Sequence, residues 1–143
     1  MGITITDLTN MSPAALDGLY QRSPVGEIPN GQGRGTVLFV TKLPTGNLFS
    51  SLVRLLAWQG KVFDRDRSFL LNRVSLFSIK MIKASVYPGE SWLTQGEATI
   101  LDYSKTSFVA QKIRDEIREV APGLYLGQAY WGKTRVLCFS LEF

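Results

Sequence analysis

RVLCFSLEF, residues 135–143, alternates with period two. Leu137, Phe139, Leu141 and Phe143 form one wholly apolar face, and Val136, Cys138, Ser140 and Glu142 form the other. Such alternation predicts a strand buried on one side, because successive side chains on a strand point to opposite faces. Reading outward, LYLGQAYW (124–131) precedes it, separated by the turn-like WGKT (131–134). Further upstream lie EATILDY, IKMIKASVY, SFLLNRVS, KVFD and GTVLFVTK, all strand-like, with PGES (88–91) and TQGE (94–97) as turn signals. Regularly spaced strands joined by hairpin-type turns predict one antiparallel sheet closed into a β-barrel.

Two helices interrupt the pattern. Ser12 can cap a short helix with Pro13 in its first turn, and Leu16, Leu19 and Tyr20 fall at helical spacing. In LPTGNLFSSLVRLLAWQG, Leu48, Leu52, Leu55 and Leu56 recur at i, i+4, i+7 and i+8, predicting an apolar helix over 48–58 that packs on the barrel or lids it. VAQKIRDEIREV (109–120) reads both ways. Val109, Ile113, Ile117 and Val120 have helical spacing; as a strand, Ile113, Asp115, Ile117 and Glu119 would share one face.

At 143 residues the chain is the size of one domain, 1–143, with 45% hydrophobic residues and enough length to bury a core without staples. Cys138 is the single cysteine, which excludes an intrachain disulfide and a thiolate metal cluster. There is no histidine, which excludes His-dependent triads and His-ligated haem or metal. No cofactor is expected. MGITITDL shows no signal-peptide pattern and no run approaches membrane-spanning length, so the expected location is cytoplasmic. The net charge of +4 is uneven: residues 42–83 hold eight basic and two acidic side chains. That basic third suits a solvated face or an anionic partner. The sequence carries no fingerprint of a nucleic-acid module.

RDEIRE (114–119) is the densest charge cluster. It suits local ion pairing, with Arg114 or Arg118 able to clamp a ligand carboxylate through two parallel bonds. Asp115 and Glu116 are weak catalytic candidates. In DYSKTS (102–107), Tyr103 and Lys105 sit at a strand end; Tyr103 is both a ligand contact and a candidate acid or base. GQGRG (31–35) could form a nest of backbone N–H groups for an anion, but reads better as a flexible lead-in to the first strand. Trp58, Arg73, Tyr125 and Tyr130 complete the candidate ligand-binding set, the aromatics offering apolar rings with polar tips.

LDGLY (16–20), GQGRGT (31–36), AWQGKVFD (57–64), ILDYSKTS (100–107) and DEIREVAPGLYLG (115–127) together resemble small lipocalin-like, calycin-type β-barrels, nearest to bacterial proteins of the GXWXG type. GQGRG stands where the G-x-W-x-G box would be. The resemblance favours a strand over 109–120 and implies an apolar interior that holds a small hydrophobic ligand. Nitrobindin-like relatives in that superfamily bind haem through a histidine, which this chain lacks. The expectation is therefore a mainly β, single lipocalin-like barrel with two short helices that binds a small hydrophobic or amphipathic ligand, whose polar or anionic end meets a basic side chain. Two alternatives stay open: a metal-independent isomerase or cyclase using the same pocket, and a basic interaction protein with a filled barrel. The sequence leaves a homodimer open.

Overall fold

The structure is a computed structural model, and it describes residues 2–41, 58–65, 69–74, 82–104 and 112–143. The chain is mainly β: among the described residues it is an antiparallel sheet with two short helices. The helices come first. α1 (Ile5–Thr9) is held by a reciprocal cap: the Asp7 N–H donates to Thr4 Oγ1 at 3.3 Å, and the Thr4 N–H donates to Asp7 Oδ2 at 2.9 Å. α2 (Pro13–Arg22) starts as its sequence predicts, with Ala15 N–H donating to Ser12 Oγ at 3.1 Å and Pro13 in the first turn.

The strands are β1 (Gly31–Val40), β2 (Trp58–Asp64), β3 (Phe69–Val74), β4 (Ile82–Glu90), β5 (Glu97–Asp102), β6 (Ile113–Ala121), β7 (Leu124–Trp131) and β8 (Thr134–Glu142). Each pairs antiparallel with the next, and β8 returns to pair with β1 from Arg34↔Glu142 to Val40↔Leu137. At the upper end β1, β3, β5 and β7 finish and β2, β4, β6 and β8 begin. At the lower end lie the β4–β5 turn, the β6–β7 turn and the segment that leads into β1. The β6–β7 turn is only Pro122-Gly123. Proline presets one φ, and Gly123 takes a φ of +73°, a conformation costly for other residues.

Alternation divides the side chains between two cores. The inner face gathers Phe63, Ala84, Val86, Leu101, Tyr103, Ile117, Tyr125, Ala129, Leu137, Phe139 and Leu141 into one buried cluster. The outer face of β7 and β8 meets the helices through Leu8, Leu16, Leu19, Tyr20, Leu124, Leu126 and Cys138. RVLCFSLEF splits between the two: Leu137, Phe139 and Leu141 point in, and Cys138 points to the helices.

Several expectations change. Residues 109–120 resolve in favour of a strand from Ile113 onward; the helical spacing misleads because the outer charges of this strand face a helix and a loop rather than water. GQGRG is part of β1, paired with Gly60–Phe63, rather than a flexible lead-in. Its Gly33 lies against the Phe143 ring, where a Cβ would intrude. In PGES, Pro88, Gly89 and Glu90 belong to β4, and the chain reverses at Ser91–Gly96, closed by Ser91 N–H to Gly96 O at 2.9 Å. On its β5 side Pro88 lies opposite Thr99. Trp58 opens β2, paired with Val74, instead of closing a helix; the rest of the helix expected over 48–58 lies outside the described residues.

Candidate functional site

At the upper end of the inner face, two candidates from the sequence meet. Tyr103 follows the last residue of β5, and Asp115 sits in β6 opposite Leu101. The Tyr103 hydroxyl donates to Asp115 Oδ2 at 3.2 Å. The two are 2% and 4% exposed, among Leu101, Ile117, Ala129 and Leu137. Burying a carboxylate in apolar surroundings is costly, so a hydroxyl at its oxygen offsets part of the desolvation. A Tyr–Asp pair shielded from water can bind a polar group or pass a proton. One residue pair deeper, Thr99 lies opposite Ile117 on the same face as Leu101 and Tyr103. It is 1% exposed, and its Oγ1 has no hydrogen-bond partner among the described residues.

The lower end of the inner face is closed by its own chain. The Glu119 carboxylate accepts from the N–H groups of Glu27 at 3.3 Å and Gly123 at 3.2 Å. The Tyr125 hydroxyl donates to Glu27 O at 2.7 Å, and its ring meets Phe143 edge-on at 5.5 Å. Burial, reinforced by the charges of Glu119 and Glu27, pushes the Tyr125 hydroxyl up to about 12. Tyr125 therefore lines the inner face as the sequence suggests, but its polar tip is engaged by the segment that leads into β1.

Arg114, Glu116 and Arg118 of RDEIRE face outward, and their geometry is that of an anchor. Glu116 is fully buried and accepts from Tyr20 Oη at 3.0 Å, Ser91 Oγ at 2.7 Å, Trp92 N at 2.8 Å, Leu93 N at 3.3 Å and Arg114 Nη1 at 2.8 Å. The Tyr20 hydroxyl is pushed far above its ordinary range, first by burial and then by the Glu116 charge. Among the described residues Arg118, 3% exposed, donates only to main-chain carbonyls: Glu97 O at 3.0 Å, Gln95 O at 2.9 Å, Tyr20 O at 2.9 Å and Gln21 O at 3.2 Å. Two of these are at the C-terminal end of α2, where a cation is favoured by the helix dipole. Arg114 donates to Glu90 O at 2.7 Å and stacks on the Trp92 ring at 4.0 Å. Tyr130 lies beside them, edge-on to Trp92 at 5.1 Å, its hydroxyl pushed up to about 12 by burial and then by Glu116. Arg135 grips Asp17 of α2 with two bonds, at 2.8 and 3.0 Å.

The sequence candidates therefore separate. Tyr103 and Asp115 come together on the inner face, with Tyr125 at its other end. Arg114, Arg118 and Glu116 belong to the opposite side, so the expectation that an arginine of this cluster points inward to clamp a ligand is corrected: alternation turns both outward. Glu116 is surrounded by donors and faces the helix and loop that it holds. Trp58 and Arg73 lie in β2 and β3, with side chains beyond the described residues, as is all of Lys105. Thr99 escaped the sequence reading. The parity of EATILDY carried the signal, since Thr99, Leu101 and Tyr103 alternate with Ala98, Ile100 and Asp102.

Among the described residues no group of three or more His, Cys, Asp or Glu side chains could hold a metal ion. Among them, too, no helix is long and apolar enough to cross a membrane. No family model and no curated protein matches the chain. A crystal structure of a protein from Thermomonospora curvata is similar to it, with a TM-score of 0.60 and 23% identity over 92% of this chain and 87% of that one. At that identity the likeness speaks to the fold alone.

Proposed function

We propose that the paired strands act as a single lipocalin-like barrel that binds a small, largely apolar or amphipathic ligand on the inner face. The ligand's polar end would meet Tyr103 and Asp115. The observation that carries this reading is the Tyr103–Asp115 pair, a hydroxyl and a carboxylate buried at one end of the face that holds the main apolar cluster. A fold stabilised by apolar contacts gains little from a buried carboxylate, so a polar pair there suits recognition better than packing. The other end of that face is closed by Glu27, Tyr125 and Phe143. Native mass spectrometry of the freshly purified protein tests the reading. The expected result is a discrete adduct that vanishes on denaturation and is weakened in D115N. A clean unliganded mass, with no thermal shift from alkyl alcohols, fatty acids or aromatic acids, would sink it.

A second reading rests on the same hydrogen bond: a metal-independent isomerase or cyclase in which Asp115 and Tyr103 move a proton. It is separated from plain binding by incubating the extracted compound with fresh protein. A product of unchanged mass but altered chromatographic retention would favour catalysis; recovery of the same compound would favour binding.

A further inference from the structure

The Thr99 hydroxyl is the part of the inner face that packing does not explain. It is 1% exposed, shares the face of Leu101 and Tyr103, and has no hydrogen-bond partner among the described residues. A buried hydroxyl without a partner destabilises a protein by roughly 1–3 kcal/mol, and valine of the same shape would avoid that. Its placement suggests what it is kept for. Thr99 pairs with Ile117 and Asp115 pairs with Leu101, so Thr99 and Asp115 are diagonal neighbours across β5 and β6, about 7–8 Å apart at the backbone. One oxygen atom lying between their tips could be bonded to both. An alcohol oxygen fits that position because it donates and accepts at once, giving its proton to the carboxylate and taking one from the threonine. An ether and an ionised carboxylate can only accept, so neither has a proton to give to Asp115.

We infer that Thr99 sets the specificity of the proposed interior site, selecting an apolar ligand that ends in a neutral hydroxyl group. This rests on the interior-binding reading, and the test keeps the two apart. 1-Octanol, methyl octyl ether and octanoate are titrated calorimetrically into the wild-type protein and into T99V. The inference expects octanol to bind about tenfold more tightly than either of the others, one good hydrogen bond being worth about that factor. It also expects T99V to bring octanol down to the ether, with a melting temperature no lower than wild type. Equal binding of the three probes, or an octanol preference that survives in T99V, overturns the inference and leaves interior binding standing. A T99V protein that melts well below wild type also overturns it, because the hydroxyl would then be holding a structural water instead of awaiting a ligand. Binding of none of the probes overturns the interior reading itself, and this inference with it.

Discussion

Glu116 shows how one charge can be buried without becoming reactive. Five donors converge on its two oxygens, from a helix tyrosine, a loop serine, two loop amides and a neighbouring arginine. Together these bonds tie α2, the β4–β5 turn and β6 to one point. E116Q replaces an acceptor-only group by one whose NH2 must face a donor. It is expected to lower stability by about 2 kcal/mol in urea unfolding, the usual worth of hydrogen bonds to a charged group. A loss under about 0.5 kcal/mol would mean that the donors find water as easily as Glu116. At this scale the sequence is ambiguous, because RDEIRE names the charges but not their faces. Once β6 is a strand, parity sends Asp115 inward and Glu116 outward, and two adjacent carboxylates acquire unrelated surroundings. The partners of Glu116, Tyr20 and Ser91, are 96 and 25 positions away, and no local pattern points to them.

Among the elements, β7 and β8 are packed to the limit of contact. Gly127 lies opposite Phe139, and a Cβ on it would collide with the Phe139 ring. The missing side chain is what lets the ring lie flat across the neighbouring strand. G127A is expected to cost about 2 kcal/mol, a typical penalty for overpacking. In the G127A/F139L double variant the smaller side chain makes room, so the pair should lose less than the sum of the two single changes. Additive losses would show that the collision is relieved elsewhere. Element type was legible in RVLCFSLEF and SPAALDGLY, where the apolar period was strict. It was misread where glycine and proline served packing and ladder geometry, as at Gly33 and Pro88. α1 went unseen because its cap uses Asp7 where the usual pattern has Glu or Gln, over too few residues to show a period.

The whole molecule has an alkaline weakness written into its tyrosines. Tyr125 and Tyr130 titrate near 12 in the folded chain against an ordinary value of 10, and Tyr20 is pushed up further. Above about pH 10 the unfolded chain sheds protons that the folded chain keeps, so unfolding gains with each step in pH. Stability from this source is complete below about pH 10 and drains away as pH rises through about 12. The urea midpoint should hold level from neutrality to about pH 9.5, then fall steeply, with a shallower fall in Y130F. A midpoint that stays level to about pH 11.5 would contradict the burial of these hydroxyls. The pairing of β8 with β1 is likewise a property of the whole chain: alternation and turns imply an antiparallel sheet, but no short stretch reveals that residues 34 and 142 are partners.

Arg118 holds the helix and the loop through carbonyl oxygens, those of Tyr20, Gln21, Gln95 and Glu97. Every amino acid supplies such an oxygen. The clasp is therefore blind to side-chain identity at positions 21, 95 and 97, and those positions are free to drift over generations without loosening it. The burden of inheritance falls on the arginine. One codon carries the attachment, and its surroundings are at liberty to take on other duties.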